Sequence, residues 1–181
     1  MSTITPRIPP LPPITTVPSL PQEAHIQILD LLFERHASIH TLLLPHLHTP
    51  HPSYPALVST IHTHLLSLLS SPSDLPVLED ILSSHPRLGA KKVESAQSVA
   101  EQTKLQSGAE EEAEQLRKLN EEYERTFPGL RFVVFVNGRG RQEIMEIMST
   151  RIARGDVEME RREGVDAMCD IAKDRAAKLS A

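Results

Sequence analysis

Tryptophan is absent and aromatic residues make up only 3% of the chain, so Leu, Ile, Val and Met are expected to fill its core. Cysteine occurs once, at Cys169, which excludes an internal disulfide and points to a reducing, intracellular setting. Cys169 lies in Val165 to Ile171, a stretch that reads as an amphipathic helix, where a small buried hydrophobe outweighs a catalytic thiol. Basic residues are in the minority: Lys+Arg 19 against Asp+Glu 24 leaves a net charge of −5. No strong basic field therefore invites nucleic acid. Long apolar runs are missing too. Phe132 to Val136 is the longest, far short of the roughly 20 residues a spanning helix needs, so no membrane association is expected. The start has no apolar stretch beside Arg7, and Lys178-Leu179-Ser180-Ala181 is not the Ser-Lys-Leu peroxisomal address. The expectation is a soluble intracellular protein, cytoplasmic rather than peroxisomal.

Proline, by contrast, is plentiful, and nearly half of the 15 prolines fall within residues 1–21. Proline fixes φ and lacks an amide donor, so this stretch reads as an extended N-terminal arm. It has no periodic apolar residues and is expected to be draped on the surface, removable at little cost in stability.

From Gln22 onward the apolar pattern is helical, and 181 residues suit a single domain. Ile26, Leu29, Leu32 and Phe33 mark one face, a second segment spans His40 to Leu47, and Pro45, Pro50 and Pro52 punctuate a loop. Leu57, Ile61, Leu65 and Leu68 form the stripe of another helix, broken at Pro72-Ser73-Asp74. Asp74 is placed to cap the next helix, with Pro76 in its first turn. Residues 91–126 favour two helices divided at Ser107-Gly108, the second with Leu116, Leu119 and Tyr123 inward. The acids Glu110 to Glu112 suit its first turn better than a metal site.

Leu130 to Val136 is β-branched and aromatic, a short strand or extended segment ended by a turn at Asn137-Gly138-Arg139-Gly140. Two helices close the chain. Ile144, Ile147, Met148, Arg151 and Ile152 define the first, which Gly155 should stop. Asp156 should cap the second, which runs through Met159, Val165, Met168 and Ile171. One isolated strand cannot make a sheet, so the expected fold is all-α: a single-domain, irregular bundle of about eight helices.

Nine histidines invite a metal hypothesis. His36 and His40 are one helical turn apart, but no local Cys, Asp or Glu joins them in a zinc-like signature. His46, His48 and His51 lie in a proline-rich loop, and His62 and His64 face different sides of a helix. No metal site is expected.

The informative stretch is Ser84 to Gln102. Pro86 restricts His85 to an extended conformation at a helix end. Thirteen residues later, Ser98, Glu101 and Gln102 stand at i, i+3 and i+4, so a hydroxyl, a carboxylate and an amide share one helical face. A fixed imidazole beside such a triplet can handle a small polar substrate, although spacing alone favours a solvated face.

The order of motifs adds to this. His85-Pro86-Arg87-Leu88, Ser98 to Gln102, Leu130 to Phe135 and Ile171-Ala172-Lys173-Asp174-Arg175 together resemble the family of 2-oxo-4-hydroxy-4-carboxy-5-ureidoimidazoline (OHCU) decarboxylases. The resemblance covers roughly residues 22–179, which divides the chain into a proline-rich arm, 1–21, and a decarboxylase-like helical domain, 22–181. Arg87-Leu88-Gly89-Ala90 departs from the family's usual acid followed by Leu-Ala-Gly.

The resemblance implies a carbon–carbon lyase of urate breakdown that makes (S)-allantoin, acts without a cofactor and forms a homodimer. It implies catalytic roles for His85, Glu101 and Arg175. It further implies substrate contacts from Pro86, Ser98, Gln102, Phe132, Val133, Val134, Phe135 and Val136. The alternative from another class is a non-catalytic helical protein of the same fold that binds a ligand or partner.

Overall fold

The computed structural model describes residues 8–89 and 110–180. Within them the chain is helical with no strand. Seven α-helices follow in order: α1 (Gln22–Leu32), α2 (Ala37–Leu47), α3 (Tyr54–Ser67), α4 (Leu75–Ser83), α5 (Glu110–Thr126), α6 (Arg141–Arg154) and α7 (Val157–Leu179). Short 3-10 turns cover Ile14–Ser19 and Leu68–Ser70. The first helix expected within 91–126 and its Ser107-Gly108 break lie outside the described residues.

The long helix α7 is the spine: at about 1.5 Å per residue its 23 residues span roughly 35 Å. Helices α1, α3 and α4 pack along it, while α5 and α6 pair with each other. The α3 stripe read from spacing, Leu57, Ile61, Leu65 and Leu68, is buried as one row. So are Val165, Met168 and Ile171 of α7, whereas Met159, expected on that row, is exposed in the first turn. On α5 the inward row is Leu116, Asn120 and Tyr123, with Leu119 half-buried.

Helix ends follow local chemistry. Gly155 stops α6 in the left-handed region at φ 66°, and its amide donates to the Arg151 and Ile152 carbonyls. Asp156 caps α7, its carboxylate accepting from the Met159 amide at 3.0 Å. Asp74 does occupy the position before α4, but its side chain makes no capping bond there. Residues 130–136 have no regular secondary structure and no strand partner among the described residues. Leu130 and Val136 anchor the two ends of this segment in the core.

The scarce aromatics are used inside rather than left out of the core. Phe33, Tyr123 and Phe127 are among the largest fully buried side chains, and Phe132 and Tyr54 are buried as well. Tyr123 stacks with Phe127 at 5.0 Å and meets Phe132 edge-on at 5.3 Å.

The arm departs from its sequence reading. Leu11 and Val17 are buried, the Leu11 amide donates to the Leu179 carbonyl, and Tyr54 donates to the Pro12 carbonyl at 2.7 Å. His25, fully buried on α1, meets the Val17 carbonyl at 2.7 Å; a carbonyl only accepts, so Nε2 carries the proton. Two isolated apolar side chains, fixed by proline geometry, seat this segment where periodicity gave no hint of burial. Truncation to begin at Gln22 is therefore expected to destabilise the fold by about 4 kcal/mol, from two lost apolar anchors and the orphaned His25 and Tyr54. Calorimetry should register a melting point lower by roughly 10 °C; an unchanged one would mean the arm contributes nothing.

Candidate functional site

The centre of the candidate site is the turn after α4. The helix ends at Ser83, the Ser84 hydroxyl folds back onto the Ile81 carbonyl at 2.6 Å, and His85 follows at a bend. Helix α5 and the 130–136 segment pin the next residues from outside. Arg131 donates to the His85 carbonyl at 3.1 Å, and Asn120 donates to the Leu88 carbonyl at 3.1 Å. Gly89, at φ 71°, approaches so closely that a Cβ there would lie 2.6 Å from a Leu116 methyl. Arg87 points outward and holds Glu124 with two hydrogen bonds, one of them at 2.6 Å. The departure from the family pattern at Arg87 is thus directed at α5, away from His85.

The imidazole of His85 is 5% exposed, and neither ring nitrogen has a hydrogen-bond partner within the described residues. Burial, helped by the positive charge of Arg175, lowers its pKa to about 3, so it is neutral at physiological pH. Side-chain NMR should find the His85 ring unresponsive between about pH 8 and pH 5 while exposed imidazoles titrate. Unfolded, the same ring takes its proton near 6.5. Its contribution to stability is therefore complete above that pH and is lost as pH falls towards 3. A midpoint for His85 near its ordinary value would contradict this placement.

Arg175, near the end of α7, is 2% exposed. It donates to the Phe33 carbonyl at 2.7 Å and to Glu34 Oε1 at 2.8 Å. Sequence spacing alone would make it a charge at a helix end; instead it is buried against the residues that follow α1. Glu34 has no helical phase of its own, and its partner is 141 positions away, so only tertiary structure reveals the pair.

The segment expected to line the pocket adjoins the His85 turn through Arg131. Phe132, Val133 and Val136 are buried, while Val134, Phe135 and Pro86 are half-buried. A buried charge cluster holds this segment from behind. Arg151 donates to the Val133 carbonyl at 3.0 Å and lies 4.6 Å above the Phe132 ring. Glu160, 1% exposed, accepts from Arg151 at 2.8 Å, Arg154 at 2.7 Å and the Tyr123 hydroxyl at 2.6 Å. Within the described residues the amides of Val133, Val134 and Phe135 find no acceptor. The structure therefore joins the 132–136 segment to the turn of His85 and Pro86 through Arg131, and sets Arg175 within electrostatic range of the His85 ring. Ser98, Glu101 and Gln102 lie outside the described residues.

Other groups are accounted for without chemistry. His40 binds Asp30 and His62 binds Asp166, each at 2.6 Å, and His46 meets His64 at 2.7 Å. Among the described residues no three His, Cys, Asp or Glu converge as a metal set. Cys169 is buried and its thiol is pushed up to about 12, chiefly by burial, so it packs as a small hydrophobe. No helix among the described residues is long and apolar enough to cross a membrane.

The bundle buries an imidazole that has no partner among the described residues and holds a buried arginine within electrostatic range of it, polar groups of the kind that orient a small molecule. Residues 18–177 match the OHCU decarboxylase family, and the chain belongs to that family of decarboxylating lyases. It is also 30% identical over 124 residues to the uric acid degradation bifunctional protein PucL of Bacillus subtilis (strain 168). That alignment takes in 67% of this chain and 24% of PucL, so the matched stretch spans about a quarter of that relative's length.

Proposed function

We propose that the chain decarboxylates OHCU to (S)-allantoin in urate breakdown, without a cofactor. His85 carries the reading. A buried polar group without a partner is costly, and both ring nitrogens of His85 lack one among the described residues, which leaves them for a ligand. Family membership supplies the ligand's chemistry.

In this substrate the departing carboxylate and a hydroxyl share one ring carbon, next to a ring imine. When the bond to the carboxylate breaks, CO2 leaves and the electron pair moves into the ring. The imine nitrogen receives it with a proton. The hydroxyl then gives up its proton as the carbonyl forms, and the neighbouring carbon is protonated on one face. The imine is the electron sink, so the protein's task is orientation and proton transfer.

Neutral His85 accepts a hydrogen bond from the hydroxyl and then takes its proton. The anionic substrate raises the imidazole's low proton affinity once bound, so basicity develops where it is used. Arg175 binds a carboxylate or ureido oxygen of the substrate. Glu101 pairs with His85 or the ring nitrogens, and Ser98 and Gln102 hold the ureido and ring amides. Pro86 and residues 132–136 form the wall, and the unpaired amides there suit the oxygens of a ureide. A homodimer in the cytoplasm belongs to the same proposal.

The test is turnover of freshly generated OHCU followed by circular dichroism. Optically active allantoin should appear faster with protein, and a chelator should make no difference. Activity abolished by chelator and restored by zinc would overturn the mechanism. A folded protein that leaves the spontaneous rate unchanged would instead favour a non-catalytic binding protein of this fold.

A further inference from the structure

We infer that Glu34 is a positioning residue for this reaction: it fixes the Arg175 guanidinium and offsets its charge beside the departing carboxylate. The inference rests on the proposed decarboxylation. Three observations support it. Glu34 is 5% exposed and Arg175 2%, so neither charge is solvated. Glu34 Oε1 accepts from Arg175 Nη2 at 2.8 Å while the adjoining Phe33 carbonyl accepts from Nη1 at 2.7 Å. Two acceptors from one turn thus hold both arms of the fork and set the plane in which the guanidinium lies. Finally, the charge of Arg175 is felt at His85, which places it by the group that moves the proton.

The chemistry explains why a bare arginine would serve poorly. In the ground state the substrate's negative charge sits on the carboxylate; in the transition state it has moved towards the ring as CO2 forms. An uncompensated cation near the carboxylate favours the first arrangement over the second. It tightens binding and slows the bond break, because only preferential binding of the transition state accelerates a reaction. Glu34 offsets part of that charge, so Arg175 can orient the carboxylate through hydrogen bonds without trapping it. Phe33 closes α1 in an extended conformation and is itself 1% exposed, which fixes where Glu34 leaves the helix.

Two variants separate charge from geometry. Glu34→Gln keeps an acceptor of similar size and removes the charge. It should lower KM by about threefold and kcat by about tenfold or more, the joint fall that marks a ground state bound too well. Glu34→Asp keeps the charge on a shorter stem and so displaces the fork; it should lower kcat by about fivefold and raise KM by about threefold. A merely structural role would reduce active protein, and so kcat, with KM unchanged. That pattern in Glu34→Gln, or wild-type constants in both variants, overturns the inference. If Glu34→Gln fails to fold, Glu34→Asp decides alone, and a wild-type KM in it overturns the inference. An active wild type with indifferent variants rejects only the role of Glu34. A wild type inert towards OHCU rejects the decarboxylation itself, and this role with it.

Discussion

Replacing His85 with asparagine is expected to lower kcat towards OHCU by at least about a hundredfold, with helicity and melting point nearly unchanged. The separation of the two effects follows from the site. His85 makes no side-chain hydrogen bond within the described residues, so the substitution removes no protein contact of that kind. Its backbone is held independently, by Arg131 on the carbonyl and by α5 on the following turn. What disappears is the group that takes the hydroxyl proton. The matched control is His62→Asn, which breaks a half-exposed contact to Asp166 on the α3–α7 face. Such a pair contributes well under about 1 kcal/mol, and turnover should survive. A folded His62→Asn without activity beside a fully active His85→Asn would relocate the site.

The largest loss of stability from a single substitution is expected from Glu160→Gln. The Glu160 carboxylate is wholly buried and receives hydrogen bonds from Arg151, Arg154 and Tyr123. Burial and this carboxylate also push the Tyr123 hydroxyl far above its ordinary range, so it stays a donor at any working pH. Neutralising Glu160 leaves Arg151, only 8% exposed, with the half-exposed Glu163 as its remaining acid. Breaking a buried pair from one side costs about 3–5 kcal/mol, here a drop in melting point of roughly 10 °C. Calorimetry should show it, and activity should fall as well, because Arg151 holds the Val133 carbonyl and the Phe132 ring. Glu163→Gln, on the outer side of the same cluster, is the comparison and should cost under about 1 kcal/mol. Equal losses from both would mean that burial is not what gives Glu160 its weight.

Helices, the stop at Gly155, the cap at Asp156 and the held position of His85 were legible in the sequence because each has a local physical signature. Leu57, Ile61, Leu65 and Leu68 repeat at the helical period; Gly155 and Asp156 stand where a left-handed residue and a carboxylate are needed. Pro86 marked His85 as a held group rather than a surface one. What the sequence hid is all tertiary. Glu160 sits among Glu158, Arg161, Arg162 and Glu163, a run indistinguishable from a solvated helix face. Arg175 resembled an end-of-helix charge until α1 was packed on α7, bringing Glu34 to it. Leu11 and Val17 looked like strays among prolines, and only the groove they enter gives them value. The clustering of the aromatics around the 132–136 segment was equally invisible, since composition says how many there are and not where they meet.

The hydrogen bond from the Leu11 amide to the Leu179 carbonyl joins positions separated by nearly the whole described chain. Closing so long a loop has a high entropic cost and is rewarded only once α1, α3 and α7 are in place. The contact is therefore expected to form after the transition state for folding, in the final consolidation of the native state. Contacts of that kind leave the folding rate almost untouched and act on the rate of escape. The arm's contribution is thus to the lifetime of the folded molecule: it is a latch that slows unfolding without helping the chain find its structure.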